Sequence, residues 1–177
     1  DDTRHLGRET VKSFGVRSRF VHFEFFRLLS DHEGLGKKGD LMALEVNMRP
    51  SGGFTPDMIN FARETDVYKI WADMVAYDST QKTVGAHHFC AFAVLRDGKD
   101  FAMTPDAIIE KYTEQLKMVE RMPDALSDAM GNQMYLATFD TEEALNAFFA
   151  DVTRLKEVDT SEESETAETI VVQVERT

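Results

Sequence analysis

The chain has 177 residues, 42% hydrophobic, 29% charged and 10% aromatic with only 4 Pro, a composition that suits one compact domain, or one with an appendage, and a real core. Lys+Arg total 20 against 32 Asp+Glu, and the net charge of −12 argues against non-specific nucleic-acid binding and against anchoring to an anionic membrane. One cysteine, Cys90, excludes a disulfide framework and a cysteine zinc knuckle, and it fits a reducing cytoplasm.

Residues 2–13 read as a short helix with Leu6, Val11 and Phe14 as a partial apolar stripe and Gly15 as its stop. From Arg19 the pattern turns to strand, since Phe20 to Phe26 is aromatic and β-branched. Turn material from Ser30 to Asp40 leads to a second strand, Leu41 to Met48, the other arm of an antiparallel hairpin. Arg49-Pro50-Ser51-Gly52-Gly53 is a loop. A helix follows, with Thr55 as cap and Pro56 at its first position. Thr65 or Asp66 caps the next, where Val67, Ile70, Trp71, Met74 and Val75 form an amphipathic stripe. The polar run 78–85 marks a boundary between residues 1–84 and 85–177.

Beyond it, His87 to Leu95 is apolar on both faces and reads as a central strand. Asp97-Gly98 turns into a short strand, Asp100 to Met103. Thr104-Pro105-Asp106 opens a helix expected to carry Ile109, Tyr112, Leu116 and Val119. Gln133 to Phe139 is a strand, and Asp140-Thr141-Glu142-Glu143 opens a helix bearing Leu145, Phe148, Phe149 and Val152. Residues 157–168 hold six acids and no base, as a solvated linker does, and 169–175 read as a last strand. The expected class is α+β, with the order ββαβαβ in the second part. No apolar run approaches the 18 or so residues of a membrane helix.

Charge is distributed unevenly. Residues 1–49 hold nine Lys+Arg against eight Asp+Glu, so the acidity lies downstream and the first third is where an anion would bind. Within it, the two-residue period of a strand puts Glu45, Asn47 and Arg49 on one face. Two hard oxygen donors can hold Mg²⁺, and a guanidinium can grip a phosphate in a bidentate fashion. Glu24 on the partner strand could lie beside Glu45, and two close carboxylates are most at ease around a divalent cation. The plain alternative is an amphipathic hairpin with an ordinary polar face. Phe23, Phe25 and Phe26 weigh against it, because they are poor neighbours for an unpaired charge.

Phe23-Glu24-Phe25-Phe26, then Leu44-Glu45-Val46-Asn47-Met48-Arg49-Pro50, then Ser51-Gly52-Gly53, resembles the C-terminal half of the ATP-grasp fold. The likeness spans residues 14–77 and is nearest to carbamoyl-phosphate-synthase-like and biotin-carboxylase-like ligases. It implies that Glu24, Glu45 and Asn47 ligate Mg²⁺, for which Mn²⁺ can substitute. It implies that Arg49 contacts the transferred phosphate of ATP and the acyl phosphate formed from a carboxylate substrate. Ser51, Gly52 and Gly53 would shape the acceptor side, where an amine or other nucleophile attacks. The gap from Glu24 to Glu45 is longer than in many members of the family. The half with a Gly-rich loop and nucleotide-gripping lysines has no counterpart here and would precede Asp1, so the chain reads as part of a larger enzyme. A different class of reading is a non-catalytic module that binds a small ligand or forms a homodimer through the appendage.

Other features carry less. Gly34-x-Gly36-Lys37-Lys38-Gly39 fails the P-loop spacing and sits between paired strands, as a hairpin tip does. His22 alternates with Glu24 and can face the same site or merely hydrogen-bond a neighbour. His87 and His88 point to opposite faces with no carboxylate nearby in sequence, and Cys90 reads as an inert core thiol.

Overall fold

A computed structural model of the protein describes residues 2–156. The acidic stretch 157–168 and the expected strand 169–175 lie outside the described residues. The class is α+β, with six helices and two antiparallel sheets among the described residues. No helix there is long and apolar enough to cross a membrane. The chain divides into two compact units: residues up to Pro56 with Asp66–Thr83, and Asp57–Thr65 with Val84 onward.

The first unit holds α1 (Asp2–Ser13), β1 (His22–Arg27), β2 (Leu41–Asn47) and α3 (Val67–Tyr77). β1 and β2 pair antiparallel as a sheet of two strands. The glycine-rich segment between them is a folded tip. Asp31 accepts the Lys38 N–H and Asp40 the Lys37 N–H, both at 2.8 Å, and Leu28 is buried beneath. These bonds, made by Asx side chains to nearby backbone, are why the segment forms a turn and no phosphate loop. Asp66 caps α3 by accepting the Lys69 N–H at 2.8 Å. The expected stripe of α3 is covered in part. Val67 is buried, Trp71 packs edge-on against Phe20 at 6.2 Å, and Val75 stays 55% exposed.

Residues 57–65, expected in the first part, group with the second unit, because the end of α2 (Thr55–Arg63) is bonded to its start. Ala62 O accepts the His88 N–H and Arg63 O accepts the Gly85 N–H, each at 2.8 Å. The remaining elements are β3 (Phe89–Leu95), α4 (Pro105–Lys111), β4 (Leu116–Arg121), α5 (Asp124–Met130), β5 (Gln133–Phe139) and α6 (Glu142–Thr153). The order βαβαβα thus replaces the expected ββαβαβ. The short strand at 100–103 is reduced to a single bridge, Phe101 to Leu155. The helix from Pro105 stops at Lys111, and Leu116 and Val119 lie on β4 instead. Apolar spacing of 109, 112, 116 and 119 suits a helix, but hydrogen bonding to β5 takes the second half of the run. α5 has no counterpart in the expected order.

The strand order is β3-β5-β4, so β5 is central and β3, expected there, is at an edge. β3 reads as central because it is buried on both faces. Ala91, Ala93 and Leu95 face the core, while Cys90 and Phe92 are buried on the other side. Cys90 is the inert thiol expected, its pKa pushed up to about 12 by burial. Tyr135, Ala137 and Phe139 of β5 meet Ile108 of α4, Tyr112 at its C-terminal cap, and Leu145, Phe148 and Val152 of α6. Phe148 is the hub, with Tyr112 edge-on at 4.9 Å and Phe139 at 5.3 Å. Gly131 is required beside this core. Its φ is 72°, and an added Cβ would lie 2.1 Å from Val94 Cγ1. Phe148→Ala should therefore cost about 3–5 kcal/mol in denaturant unfolding of the second unit. Leu126→Ala, at a 47% exposed position, should stay within about 0.5 kcal/mol.

Candidate functional site

The register of β1 on β2 changes once. Arg27, Phe26 and Phe25 oppose Leu41, Met42 and Ala43, whereas Glu24, Phe23 and His22 oppose Glu45, Val46 and Asn47. Leu44 is the surplus residue, a β-bulge, and is 66% exposed. Without it the first register would continue, and Glu24 would oppose Leu44 while Glu45 opposed Phe23. Neighbouring residues along a strand point to opposite faces, so the two carboxylates would then be on opposite faces. The bulge puts Glu24 directly across from Glu45, with His22 and Asn47 as the next opposed pair on that face.

Four polar side chains thus share one face of a two-stranded sheet. His22 Nε2 lies 3.5 Å from Glu24 Oε1. The Glu45 carboxyl is held below the usual range first by the Asn47 carboxamide. The charge of Arg49, that of His22 when its ring is protonated, and a hydrogen bond with the Glu24 carboxyl act in the same direction. Although Asn47 lies against Glu45, its buried Nδ2 closes no hydrogen bond of normal length and angle. His22 Nδ1 is likewise buried and without a partner.

The expected site residues fall into two groups. Glu24, Glu45 and Asn47 are together, with Arg49 near enough to act on Glu45. The Arg49 guanidinium donates to Pro50 O at 3.0 Å. Ser51, Gly52 and Gly53 form the turn that follows, before α2, with Gly53 at φ 59°, a backbone position that favours glycine. Among the described residues no group of three or more His, Cys, Asp or Glu could hold a metal ion.

A cluster that sequence reading missed lies in the second unit. His88 was expected to lack carboxylates, yet its Nδ1 is 2.9 Å from Asp140 Oδ1 and its Nε2 is 3.4 Å from Glu64 Oε1. They line a cleft of about 660 Å³ with Phe61, Lys117 and Thr138. Glu64 is 24 residues and Asp140 52 residues from His88, so no local spacing could have announced the cluster.

No family model matches the chain, and no curated protein matches it either.

Because the Glu45 carboxyl is held below its ordinary value of 4.5, it contributes stability above that value and loses it as pH falls through the folded-state value. Glu45→Gln should flatten part of the acid limb of the stability profile below pH 4.5 and leave the neutral region in place. Urea midpoints across that range measure it, and superimposable profiles for the two proteins would refute the assigned shift.

Proposed function

We propose that this chain is the metal- and phosphate-binding C-terminal part of an ATP-grasp ligase. The observation that carries this reading is the bulge-set register that opposes Glu24 to Glu45 and puts Asn47 on the same face, two residues before Arg49. Two carboxylates facing each other across a sheet repel, and a divalent cation is the natural remedy. Mg²⁺ is commonly held by one or two carboxylates plus substrate phosphates, seldom by an all-protein cage. The donor set fits that habit. It offers two opposed carboxylates and, on the same face, the carboxamide oxygen of Asn47.

Glu24, Glu45 and Asn47 would hold Mg²⁺, or Mn²⁺ in its place, and the ion would neutralise phosphate charge. Arg49 exchanges its bond to Pro50 O for a phosphate oxygen, where its planar fork gives orientation as well as charge. The Ser51–Gly53 turn borders the acceptor side. The reaction class is transfer of the ATP γ-phosphate to a carboxylate, giving an acyl phosphate from which an amine or other nucleophile displaces phosphate, with ADP released. Positioning and charge neutralisation suffice, and no side chain acts as a covalent nucleophile. The other half of the fold would supply the nucleotide-gripping loop and lysines. Exposed apolar side chains around the hairpin, Phe26, Leu29, Leu35 and Leu44, support a missing partner surface. So does the sheet itself, since two strands alone are marginal in water.

A second reading, a ligand-binding module, is favoured by the cleft around His88 in the second unit. Under it the chain alone binds a small molecule without nucleotide. Under the first, Glu45→Gln in the intact enzyme should lower Mg²⁺-dependent, ADP-forming turnover by at least roughly a hundredfold, the range seen when an electrostatic contact to the transition state is lost. Turnover at the wild-type rate would sink the assignment.

A further inference from the structure

One residue on the polar face is unused by the metal reading. His22 opposes Asn47 and stands two residues before Glu24, so its side chain shares their face. Its Nε2 is 3.5 Å from Glu24 Oε1, while its Nδ1 is buried with no partner. Across the strand, Asn47 Nδ2 is also buried; it lies against Glu45 but closes no hydrogen bond of normal length and angle, and it has a second N–H to offer. These two orphans are complementary in one tautomer only. A ring nitrogen facing an ionised carboxylate must carry the proton, because such a carboxylate only accepts. With that proton on Nε2, Nδ1 is a bare lone pair, and a lone pair is what the Asn47 N–H lacks.

We propose that His22 is a positioning residue for the cation site, donating from Nε2 to Glu24 and accepting at Nδ1 from Asn47 through one water. Committing the carboxamide nitrogen to His22 leaves Oδ1 as the atom Asn47 offers a cation. Committing one oxygen of Glu24 leaves its other oxygen for the same purpose. The inference rests on the reading that Glu24, Glu45 and Asn47 hold a divalent cation. Groups that orient metal ligands from behind typically contribute 10–100-fold to affinity, and their effect passes through the ligand. A histidine that merely filled space on this face would need neither a fixed tautomer nor a donor at the Nε2 position.

Two measurements on the full chain test this. Long-range proton–nitrogen NMR of the His22 ring, recorded at alkaline pH, should show the Nε2–H tautomer, and Glu24→Ala should turn it into a mixture. Mn²⁺ affinity, read from the electron paramagnetic resonance signal of the free ion, should fall roughly 10–100-fold in His22→Ala. His22→Gln, whose amide N–H lies near the position of Nε2, should recover most of the loss. An Nδ1–H tautomer in the wild type, unchanged affinity in His22→Ala, or equal losses in the Ala and Gln variants would each overturn the proposal. If binding is lost in Glu45→Gln yet is indifferent to His22, the inference alone falls. If the wild type takes up no Mn²⁺, the metal reading falls and the role of His22 with it.

Discussion

Carboxylates directly opposite each other on paired strands repel, and most sheets avoid the arrangement. Here a single surplus residue, Leu44, brings it about by shifting the register so that Glu24 meets Glu45. The bulge also brings His22 level with Asn47, so the cross-strand pairings of the candidate site follow from that one slip, whereas His22 with Glu24 and Glu45 with Asn47 are neighbours along one strand. A sheet edge can accommodate such a bulge cheaply, and bulges are often found where a side chain must be re-aimed beside an active site. The exposed Leu44 side chain gains nothing by burial there. Stability alone gives no reason to keep either the bulge or the opposed charges. Under the proposed function a bound cation would.

Structure and candidate chemistry are divided between the units. The second unit holds a continuous core around Phe148, with Tyr112 tied through its hydroxyl to Asp151 at 2.6 Å. The first has a two-stranded sheet, a helix α1 with no buried residue and several exposed apolar side chains. Its site is therefore held by register, turn bonds and caps more than by burial. Regions with little buried apolar surface open at low free energy.

Much of this was legible from residue order. The hairpin, the helix at 2–13, the Asp66 cap and the β5–α6 junction follow from alternation, capping residues and turn chemistry, which are local. Glu45 and Asn47 share a face because a strand has period two. What stayed hidden was non-local. A bulge has no signature in an apolar-polar pattern, so the Glu24–Glu45 opposition could be proposed but its register could not be derived. The run 104–121 fits a helical period, and only pairing with β5 shows that its second half is strand. Burial on both faces suggested a central position for β3, yet covering an edge strand gives the same pattern. The Glu64–His88–Asp140 cluster joins three distant segments and left no trace in spacing.

Under the proposed function the bulge-aligned face of β1 and β2 is a divalent-cation site. Paramagnetic broadening of backbone amide signals during a Mn²⁺ titration of the full chain tests it most directly. A cation bound there gives early, selective loss of signals from His22–Glu24 and Glu45–Asn47, abolished when Leu44 is deleted and the register slips. Broadening spread evenly over the acidic surface, or centred on another cluster such as Glu64 and Asp140, would contradict it.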